Sequence, residues 1–342
     1  MKIPLLHQTD LFRPHNDPDD HYDLACVYAL AYTGEIDLKG ILIDYPPDHK
    51  DGDPDVVAVG QMNFITGLTV PVAIGSNNPF SRKEIESNLY KTKQGGAQFV
   101  IDILKDTAKP LAMTIVGSCR DIAIAGKIEP QLFAEKCAAI YLNAGTGSKQ
   151  QLGKRELEYN VGLDPAAYSA IFDLSCPVYW MPCFGEYLSP QSELQTLEFG
   201  TYFRFRQDKI LPFLSDRMQN YFACMLSKSN CPNWLRYLDN PKDQELLSLH
   251  GQMYRNMWNT AAFLHAMGKT VTKDGEIITL NQVGDNVVYK FEQIQVSCDE
   301  KGITEWAIDK DSNDRFIFHV LDIENYPMAM TKAMKNLLMK LP

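Results

Sequence analysis

The chain has 342 residues, enough to bury a large core in one big domain or two ordinary ones. Its formal net charge of −10 and pI of about 5.2 argue against a nucleic-acid partner, because affinity for a phosphate backbone needs clustered lysine and arginine. No apolar run approaches the ~20 residues of a membrane helix, so no membrane partner is expected either.

Short apolar runs alternate with amphipathic stretches over the first half of the chain. Strands are predicted at 2–6, 38–44, 70–75, 111–116, 137–145 and 177–183. Helices are predicted between them at 23–32, 56–67, 97–108, 121–128 and 165–173. Strands that alternate with helices indicate βαβ units, so the sequence predicts an α/β fold with a Rossmann-like core, a mainly parallel sheet flanked by helices.

The second half of the chain has a less regular pattern. Residues 203–227 and 251–267 are predicted to be helical, 287–297 and 315–323 to be strands, and 329–341 to be a closing helix. No linker rich in proline, glycine or serine divides the chain. We therefore expect a single domain over residues 1–342, with helical insertions.

The eight cysteines are scattered and form no CxxC pair. In a chain this long, such a distribution favours buried free thiols in a reducing compartment. A cytoplasmic location is therefore expected, although a leader peptide already removed would leave no trace in this sequence.

Aspartates are crowded between the first predicted strand and the first helix. The segment TDLFRPHNDPDDHYDLACVYAL, residues 9–30, contains Asp10, Asp17, Asp19, Asp20 and Asp23. Asp10 ends the strand and the Asp19–Asp20 pair opens the helix, which places them in the crevice where open α/β sheets bind ligands.

Two interpretations of this cluster remain open at this point. Aspartates cap helix starts and favour the positive end of the helix dipole, but that stabilisation is only ~0.3–1 kcal/mol for each. Converging carboxylates repel one another, and a bound cation relieves the repulsion; oxygen ligands without thiolates favour Ca²⁺ or Mg²⁺ over zinc. His15 and His21 flank the cluster, but their spacing is not that of a zinc motif.

The strand, the aspartate, the short loop and the Asp-Asp pair that opens an apolar helix resemble the N-terminal signature of the nucleoside hydrolases, the inosine–uridine-preferring N-ribohydrolase superfamily. The resemblance continues in the same order along almost the whole chain. The further similar segments are LKGILID, VPVAIGSNNPF at 70–80, TIVGSCRDIAIAGKIEP at 114–130, ELEYNVGLDPAAYSAIF at 156–172 and MYRNMWNTAAFLHAM at 253–267.

The resemblance implies a nucleoside hydrolase-like fold with Ca²⁺ at the floor of a ribose pocket. Asp10, Asp20, the backbone carbonyl of Val116 and the matched late position, Asn259, would be the metal ligands. Asp19 would bind the sugar hydroxyls.

Three further residues match positions on the sugar side of the pocket. Glu158 and Asn160 correspond to ribose-contacting residues, and Asn143 lies at a strand end that closes the pocket. Structural alternatives exist for each: Asn143 could serve a turn beside Gly145, Glu158 could be a surface charge, and Asn160 could stabilise a loop.

Several pocket positions depart from the family pattern. Asn259 stands where the family has a metal-binding aspartate, and Trp258 stands where it often has a histidine proposed to protonate the leaving base. An asparagine still offers a carbonyl oxygen, but one negative charge is lost, which Asp17 could supply. Trp258 could stack on a base or pack in the core. The second strand ends in DYPP where the family has Ala-Gly-Asn, so a ribose-side asparagine is missing, and Asp44 could fill that place.

The Gly-Asn pair that the family carries before its Glu-x-Asn segment is not recognisable in SKQQLGKREL, residues 148–157.

We consider three functions. The first is a Ca²⁺-dependent N-glycosidase that hydrolyses a nucleoside or related N-riboside through a metal-activated water, with Asp10 as the base. The second is a catalytically silent protein of the same fold that binds calcium and a sugar or nucleoside. The third, a phosphotransferase of the haloacid-dehalogenase type, expects an Asp-x-Asp that TDLFRP lacks. The expected partner is a small nucleoside or glycoside, and a homodimer or homotetramer is compatible with the sequence.

Overall fold

The computed structural model describes residues 2–14, 18–47, 52–86, 95–147, 157–184, 196–227, 231–282, 284, 286–312 and 314–342. Its strands are β1 (Ile3–Thr9), β2 (Phe12–Arg13), β3 (Ile36–Ile43), β4 (Asp53–Pro54), β5 (Val72–Ile74), β6 (Leu111–Val116), β7 (Cys137–Asn143), β8 (Val178–Trp180), β9 (Phe203–Arg206), β10 (Tyr254–Met257), β11 (Lys269–Val271), β12 (Ile277–Thr279), β13 (Tyr289–Cys298), β14 (Thr304–Ile308) and β15 (Arg315–Val320).

The helices are α1 (Asp19–Tyr32), α2 (Val56–Thr66), α3 (Arg82–Glu86), α4 (Gly95–Asp106), α5 (Arg120–Ile128), α6 (Pro130–Lys136), α7 (Tyr159–Leu163), α8 (Pro165–Ile171), α9 (Asp216–Leu226), α10 (Trp234–Tyr237), α11 (Gln244–Gly251), α12 (Thr260–Ala266) and α13 (Tyr326–Leu338). Short 3₁₀ helices lie at Gln207–Lys209, Leu211–Phe213 and Leu280–Gln282. None of these helices is long and apolar enough to span a membrane.

A nine-stranded sheet runs through the described residues in the order β14-β13-β15-β8-β7-β6-β1-β3-β5. The neighbouring strands β5, β3, β1, β6, β7, β8 and β15 pair in parallel. Strands β13 and β14 pair antiparallel at the other edge of the sheet. The predicted α/β fold with a mainly parallel sheet is therefore confirmed. Because β3, β1, β6 and β7 are parallel neighbours, their carboxyl ends lie along one edge of the sheet.

Two hydrophobic clusters cover the faces of the sheet. One contains buried side chains of α1, α2, α9, α12 and α13, and the other contains those of α4, α5 and α8. Helix α1 is buried from Asp19 to Ala31, on every side, as expected for a central helix without a polar face. Its acidic first turn is therefore held inside the protein rather than on the surface.

The helix predictions for 203–227 and 251–267 were wrong in their first parts. Phe203–Arg206 and Tyr254–Met257 form the antiparallel pair β9 and β10, and helices follow only later. In β9, Phe203 and Phe205 are buried while Arg204 and Arg206 are exposed. This alternation has the period of a strand, not of a helix, and Phe-Arg-Phe-Arg already shows it in the sequence.

Candidate functional site

The carboxyl ends of four neighbouring strands bring predicted site residues to one edge of the sheet. Asp10 follows β1 and Asp44 follows β3, while Val116 ends β6 and Asn143 ends β7. Val116 and Asn143 are also direct partners in the parallel register of β6 and β7. The four residues are therefore set side by side by the strand order alone.

Gly117 allows a close approach between β6 and the two aspartates next to it. The residue has a φ of +129°, and a Cβ at this position would overlap the Oδ2 atom of Asp44 and lie 3.3 Å from the Cβ of Asp10. Asp44 is buried, and it accepts hydrogen bonds from the Gln8 side chain (2.7 Å) and from the Ser118 backbone N–H (2.6 Å). Burial raises the pKa of the Asp44 carboxyl. In the sequence, only a glycine after an apolar strand indicates this close approach.

Asp19 and Asp20 form the first turn of α1, and both are buried. The Thr9 hydroxyl, at the end of β1, donates a 2.6 Å hydrogen bond to Asp20 Oδ1. The helix N-terminus favours negative charge at these positions. The structure thus joins the end of β1 to the start of α1 through the predicted ligand Asp20.

The histidines beside the aspartate cluster have different outcomes. His21 is buried in α1, and its Nε2 atom lies 3.3 Å from an Asp55 carboxylate oxygen at the start of α2. Desolvation by burial lowers the pKa of His21. His15 lies outside the described residues, as does Asp17, which the sequence suggested as a source of extra charge.

Asn259 precedes α12 and is buried against α1. Its side-chain amide nitrogen donates a 2.8 Å hydrogen bond to Asp23 Oδ2, one helical turn after Asp20. Desolvation by burial raises the pKa of Asp23 well above its usual range. The sequence singled out Asn259 but not its partnership with Asp23.

The chemistry of the predicted ligands fits a calcium ion. Asp10 and Asp20 offer carboxylate oxygens, Val116 a backbone carbonyl and Asn259 an amide oxygen, and this all-oxygen set suits Ca²⁺ rather than zinc. The contact of the Asn259 amide nitrogen with Asp23 leaves its oxygen for another partner. Within the described ranges, no group of three or more His, Cys, Asp or Glu side chains could hold a metal ion. The predicted ligand set contains only two side chains of these types, Asp10 and Asp20. Calcium therefore stays a prediction.

The sugar-side residues after β7 are held by backbone hydrogen bonds. Glu158 caps α7: its Oε1 accepts from the Asn160 N–H (3.1 Å), and its Oε2 accepts from the Gly145 N–H (2.7 Å) and the Val161 N–H (3.3 Å). Burial raises the pKa of Glu158, and these donors oppose the rise. The Asn160 side-chain amide donates to the Asn143 carbonyl (3.1 Å). Glu158 and Asn160 are thus placed together and ordered.

The Asn143 side chain links the end of β7 to the segment that follows β8. Its amide nitrogen donates to the Met181 carbonyl (2.8 Å) and to the Thr201 hydroxyl (3.1 Å). Its oxygen accepts from the Cys183 thiol, at 3.6 Å. These bonds connect β7 to residues after β8 rather than to the turn beside Gly145, and the contact of Asn143 with substrate stays a prediction.

Cys183 follows β8, and its thiol contacts the Asn143 side chain at the end of β7. The sequence did not indicate this residue. Burial raises the pKa of its thiol well above the usual range, and the nearby carboxylates of Glu158, Asp19 and Asp10 raise it further. A cysteine after an apolar strand carries no sequence signal for such a place.

Trp258, which precedes Asn259 in the chain, belongs to an aromatic cluster with Phe184 and Tyr202. Its ring centroid lies 6.0 Å from that of Phe184, edge to face, and 5.7 Å from that of Tyr202. Its Nε1 atom is buried and makes no hydrogen bond with any part of the chain that the structure describes. Both interpretations of Trp258, base stacking and core packing, remain open.

Behind the strand edge lies a buried charged network that the sequence did not predict. Arg120 Nε donates to Asp164 Oδ2 (2.9 Å), and Arg120 Nη1 donates to the Ser76 carbonyl (2.7 Å). Asp121 accepts from the Ser76 N–H, and burial together with the nearby Asp44 raises its pKa to about 7. The network ties the loops after β5 and β6 to α8.

Neither the comparison with protein-family models nor that with curated proteins finds a match for this sequence. Solved structures of similar fold include a plant nucleoside hydrolase, the PpNRh1 enzyme, which is 12% identical with a TM-score of 0.53; the match covers 98% of this chain and 99% of that one. The effector protein XOO4466 is 13% identical with a TM-score of 0.52, over 99% of this chain and 94% of that one. The chain thus shares its fold with a nucleoside hydrolase and with an effector protein.

Proposed function

We propose that this protein is a hydrolase that cleaves the N-glycosidic bond of a nucleoside or a related N-riboside, with a bound calcium ion. The observation that carries the proposal is the placement of three carboxylates along one edge of the sheet: Asp10 follows β1, Asp19 opens α1, which is hydrogen-bonded to the end of β1, and Glu158 is hydrogen-bonded to the Gly145 N–H after β7. A nucleoside hydrolase of similar fold supports the same reaction class.

The carboxylates suit the transition state of this reaction. As the C1′–N bond breaks, its electron pair leaves with the base nitrogen, and positive charge develops on the ribose ring. Fixed negative groups near the ring stabilise that charge most where water is excluded. Asp19 is buried in the first turn of α1, where the helix N-terminus favours negative charge, and it would bind the sugar hydroxyls.

Asp10 is the proposed general base. It follows β1 directly and faces the Gly117 turn, so its backbone is anchored by the central strand of the site. It takes a proton from the water that attacks C1′, and hydroxide then adds to the ring carbon. Calcium, held by Asp10, Asp20, the Val116 carbonyl and Asn259, would supply a lowered pKa for that water.

The leaving-group side is proposed to lack a strong acid. Trp258 presents an indole, whose N–H donates a hydrogen bond but does not transfer its proton at neutral pH. The rings of Phe184, Tyr202 and Trp258 offer an apolar surface for a planar base. The leaving group must then either be stable enough to depart as an anion or take its proton from water.

A turnover screen tests the proposed function. Nitrophenyl riboside, inosine and uridine are incubated with the protein in calcium and after metal removal by a chelator, and free ribose is measured. Ribose release that depends on calcium supports the proposal. An Asp10→Ala protein purified in the same way controls for a contaminating hydrolase. Absence of ribose from every substrate at high protein concentration would contradict it.

The second candidate is a calcium- and sugar- or nucleoside-binding protein without catalysis. One observation favours it: both Glu158 oxygens are occupied by backbone N–H groups, so this carboxylate serves the loop as well as any ligand. Calorimetric binding of ribose or inosine to a protein that releases no ribose would favour this candidate.

A further inference from the structure

Asp23 and Asn259 form a buried pair that joins α1 to the start of α12. They are 236 positions apart in the sequence, and their side chains meet at 2.8 Å, from the Asn259 amide nitrogen to Asp23 Oδ2. Both side chains are at most 1% exposed. Asp23 lies one turn after the predicted ligand Asp20 on the same helix, so the pair sits beside the proposed metal shell.

The pair fixes which end of the Asn259 amide faces the shell. Asp23 Oδ2 accepts the hydrogen bond from the amide nitrogen, so that nitrogen points at Asp23 and the amide oxygen points away from it. With an apolar side chain at position 23, the two orientations of the amide would no longer be distinguished by this neighbour. The other carboxylate oxygen, Asp23 Oδ1, is buried and has no hydrogen-bond partner in the described parts of the chain.

We propose that Asp23 is a positioning residue that turns the oxygen of Asn259 toward the calcium ion by accepting a hydrogen bond from the amide nitrogen. The inference rests on the proposed function, because it assigns a role within the metal shell of that site. A group that accepts a hydrogen bond from a metal ligand commonly orients the ligand and raises its basicity. Asp23 does so from α1, without contributing an atom to the shell.

The pair also changes what an aspartate at position 259 would do. Asn259→Asp adds a charge to the ligand set, which by itself tightens calcium binding. In this protein, however, it removes the amide donor and places a second carboxyl group against Asp23 in a buried site, where ionising both groups has a large free-energy cost. We therefore expect Asn259→Asp to destabilise the metal-free protein, and Asp23→Ala to relieve that loss.

A double-mutant cycle on the metal-free protein tests the pair without any ligand. The melting temperature is measured for wild type, Asp23→Ala, Asn259→Asp and the double variant. We expect the double variant to melt roughly 2–5 °C above Asn259→Asp. Asn220→Asp is the matched control: Asn220 is also buried, but it donates to the Leu238 and Asn240 carbonyls. Asp23→Ala should not raise the melting temperature of the Asn220→Asp protein. If Asp23→Ala raises the melting temperature equally in both backgrounds, or in neither, Asp23 and Asn259 are not coupled.

A calorimetric calcium titration then tests the positioning role. Asp23→Ala should weaken calcium binding by roughly 10–100-fold, as expected for loss of a group that supports a metal ligand. Asp23→Asn keeps an oxygen that accepts from the Asn259 amide, so its affinity should fall between those of wild type and Asp23→Ala. Equal affinities of wild type and Asp23→Ala, or equal weakening by Asn and Ala, would overturn the inference while leaving the proposed function intact.

A wild-type protein that binds no calcium would overturn the positioning role together with the metal part of the proposed function. The metal-free cycle distinguishes that case, because it reports whether Asp23 and Asn259 interact when calcium plays no part. A folded Asp23→Ala protein is confirmed by its cooperative melting before either result is used.

Discussion

The sugar side and the leaving-group side of the candidate site are built in different ways. On the sugar side, Asp20, Glu158 and Asn160 are each tied to neighbouring elements by hydrogen bonds of 2.6–3.3 Å. On the other side, Trp258 packs among aromatic rings, and its N–H has no partner in the described residues. Fixed polar groups specify one ring chemistry, whereas aromatic faces accept many planar groups. Under the proposed function, this difference predicts strict recognition of the sugar and a rate that depends on the chemistry of the leaving group.

The largest expected effect is the loss of kcat when Asp10, on the sugar side, is removed. Asp10→Ala should lower kcat on nitrophenyl riboside by about 10²–10⁴-fold, because it removes the proposed general base. Steady-state kinetics measure the loss, and unchanged cooperative melting shows that the fold survives. Asp37→Ala is the matched control, since Asp37 is an exposed carboxylate on β3. Turnover that survives Asp10→Ala would remove Asp10 from the mechanism.

Calcium should act on the same side. A ligand that binds only the folded state at 100 times its Kd adds about 2.7 kcal/mol to the free energy of unfolding. We expect calcium to raise the melting temperature of the chelator-treated protein by several degrees. Asn259→Ala should reduce this shift, and Trp258→Ala should leave it unchanged. Identical melting with and without calcium would remove the metal from the account.

On the leaving-group side, Trp258→Ala should raise KM for inosine by roughly 5–100-fold if the ring stacks on the base, since such stacking is worth ~1–3 kcal/mol. Trp258→Phe keeps an aromatic face and should retain most of the affinity. If KM is the same in all three proteins, Trp258 is a packing residue only.

The remaining expected effect is on the pH dependence of stability and concerns Asp121, behind the site. Its pKa is raised from 3.8 to about 7, so the folded state binds a proton between these values that the unfolded state has released. Stability should therefore fall as pH rises from about 4 to 7. Urea unfolding of wild type and Asp121→Asn across this range measures the contribution, which the variant should lack. The exposed Asp173, whose pKa is lowered, provides the control Asp173→Asn. Parallel pH profiles for wild type and Asp121→Asn would show that Asp121 does not titrate there.

The first half of the fold could be predicted from the sequence because buried parallel strands leave a strong local signal. LAMTIV, for example, is β6, buried throughout. The helix prediction at β9 overlooked the period-two alternation of Phe-Arg-Phe-Arg, whereas β10 lacks such an alternation and is defined by its pairing with β9. Strand β14 was missed: its residues are mostly exposed, and it is defined by pairing with β13.

For the site, the sequence predicted where residues lie in the fold better than which residues contact one another. A strand followed by Asp10 and a helix opened by Asp19 and Asp20 are local patterns, and the structure places them at the expected strand edge. The contact of Asp23 with Asn259 joins two helices from opposite ends of the chain. Cys183 acquires its acidic surroundings from three elements. No local pattern encodes such contacts, because they depend on the packing of elements distant in sequence.

The relative rates for two leaving groups test the account most directly. The ratio of kcat/KM for nitrophenyl riboside to that for inosine is measured at neutral pH with calcium present. General-acid help to a leaving group is worth about 10²–10⁴-fold, so a site without an acid should favour the activated riboside by about that factor. A ratio of 10² or more is the predicted result. Inosine cleaved as fast as nitrophenyl riboside would contradict the account, because it would require an acid on the aromatic side.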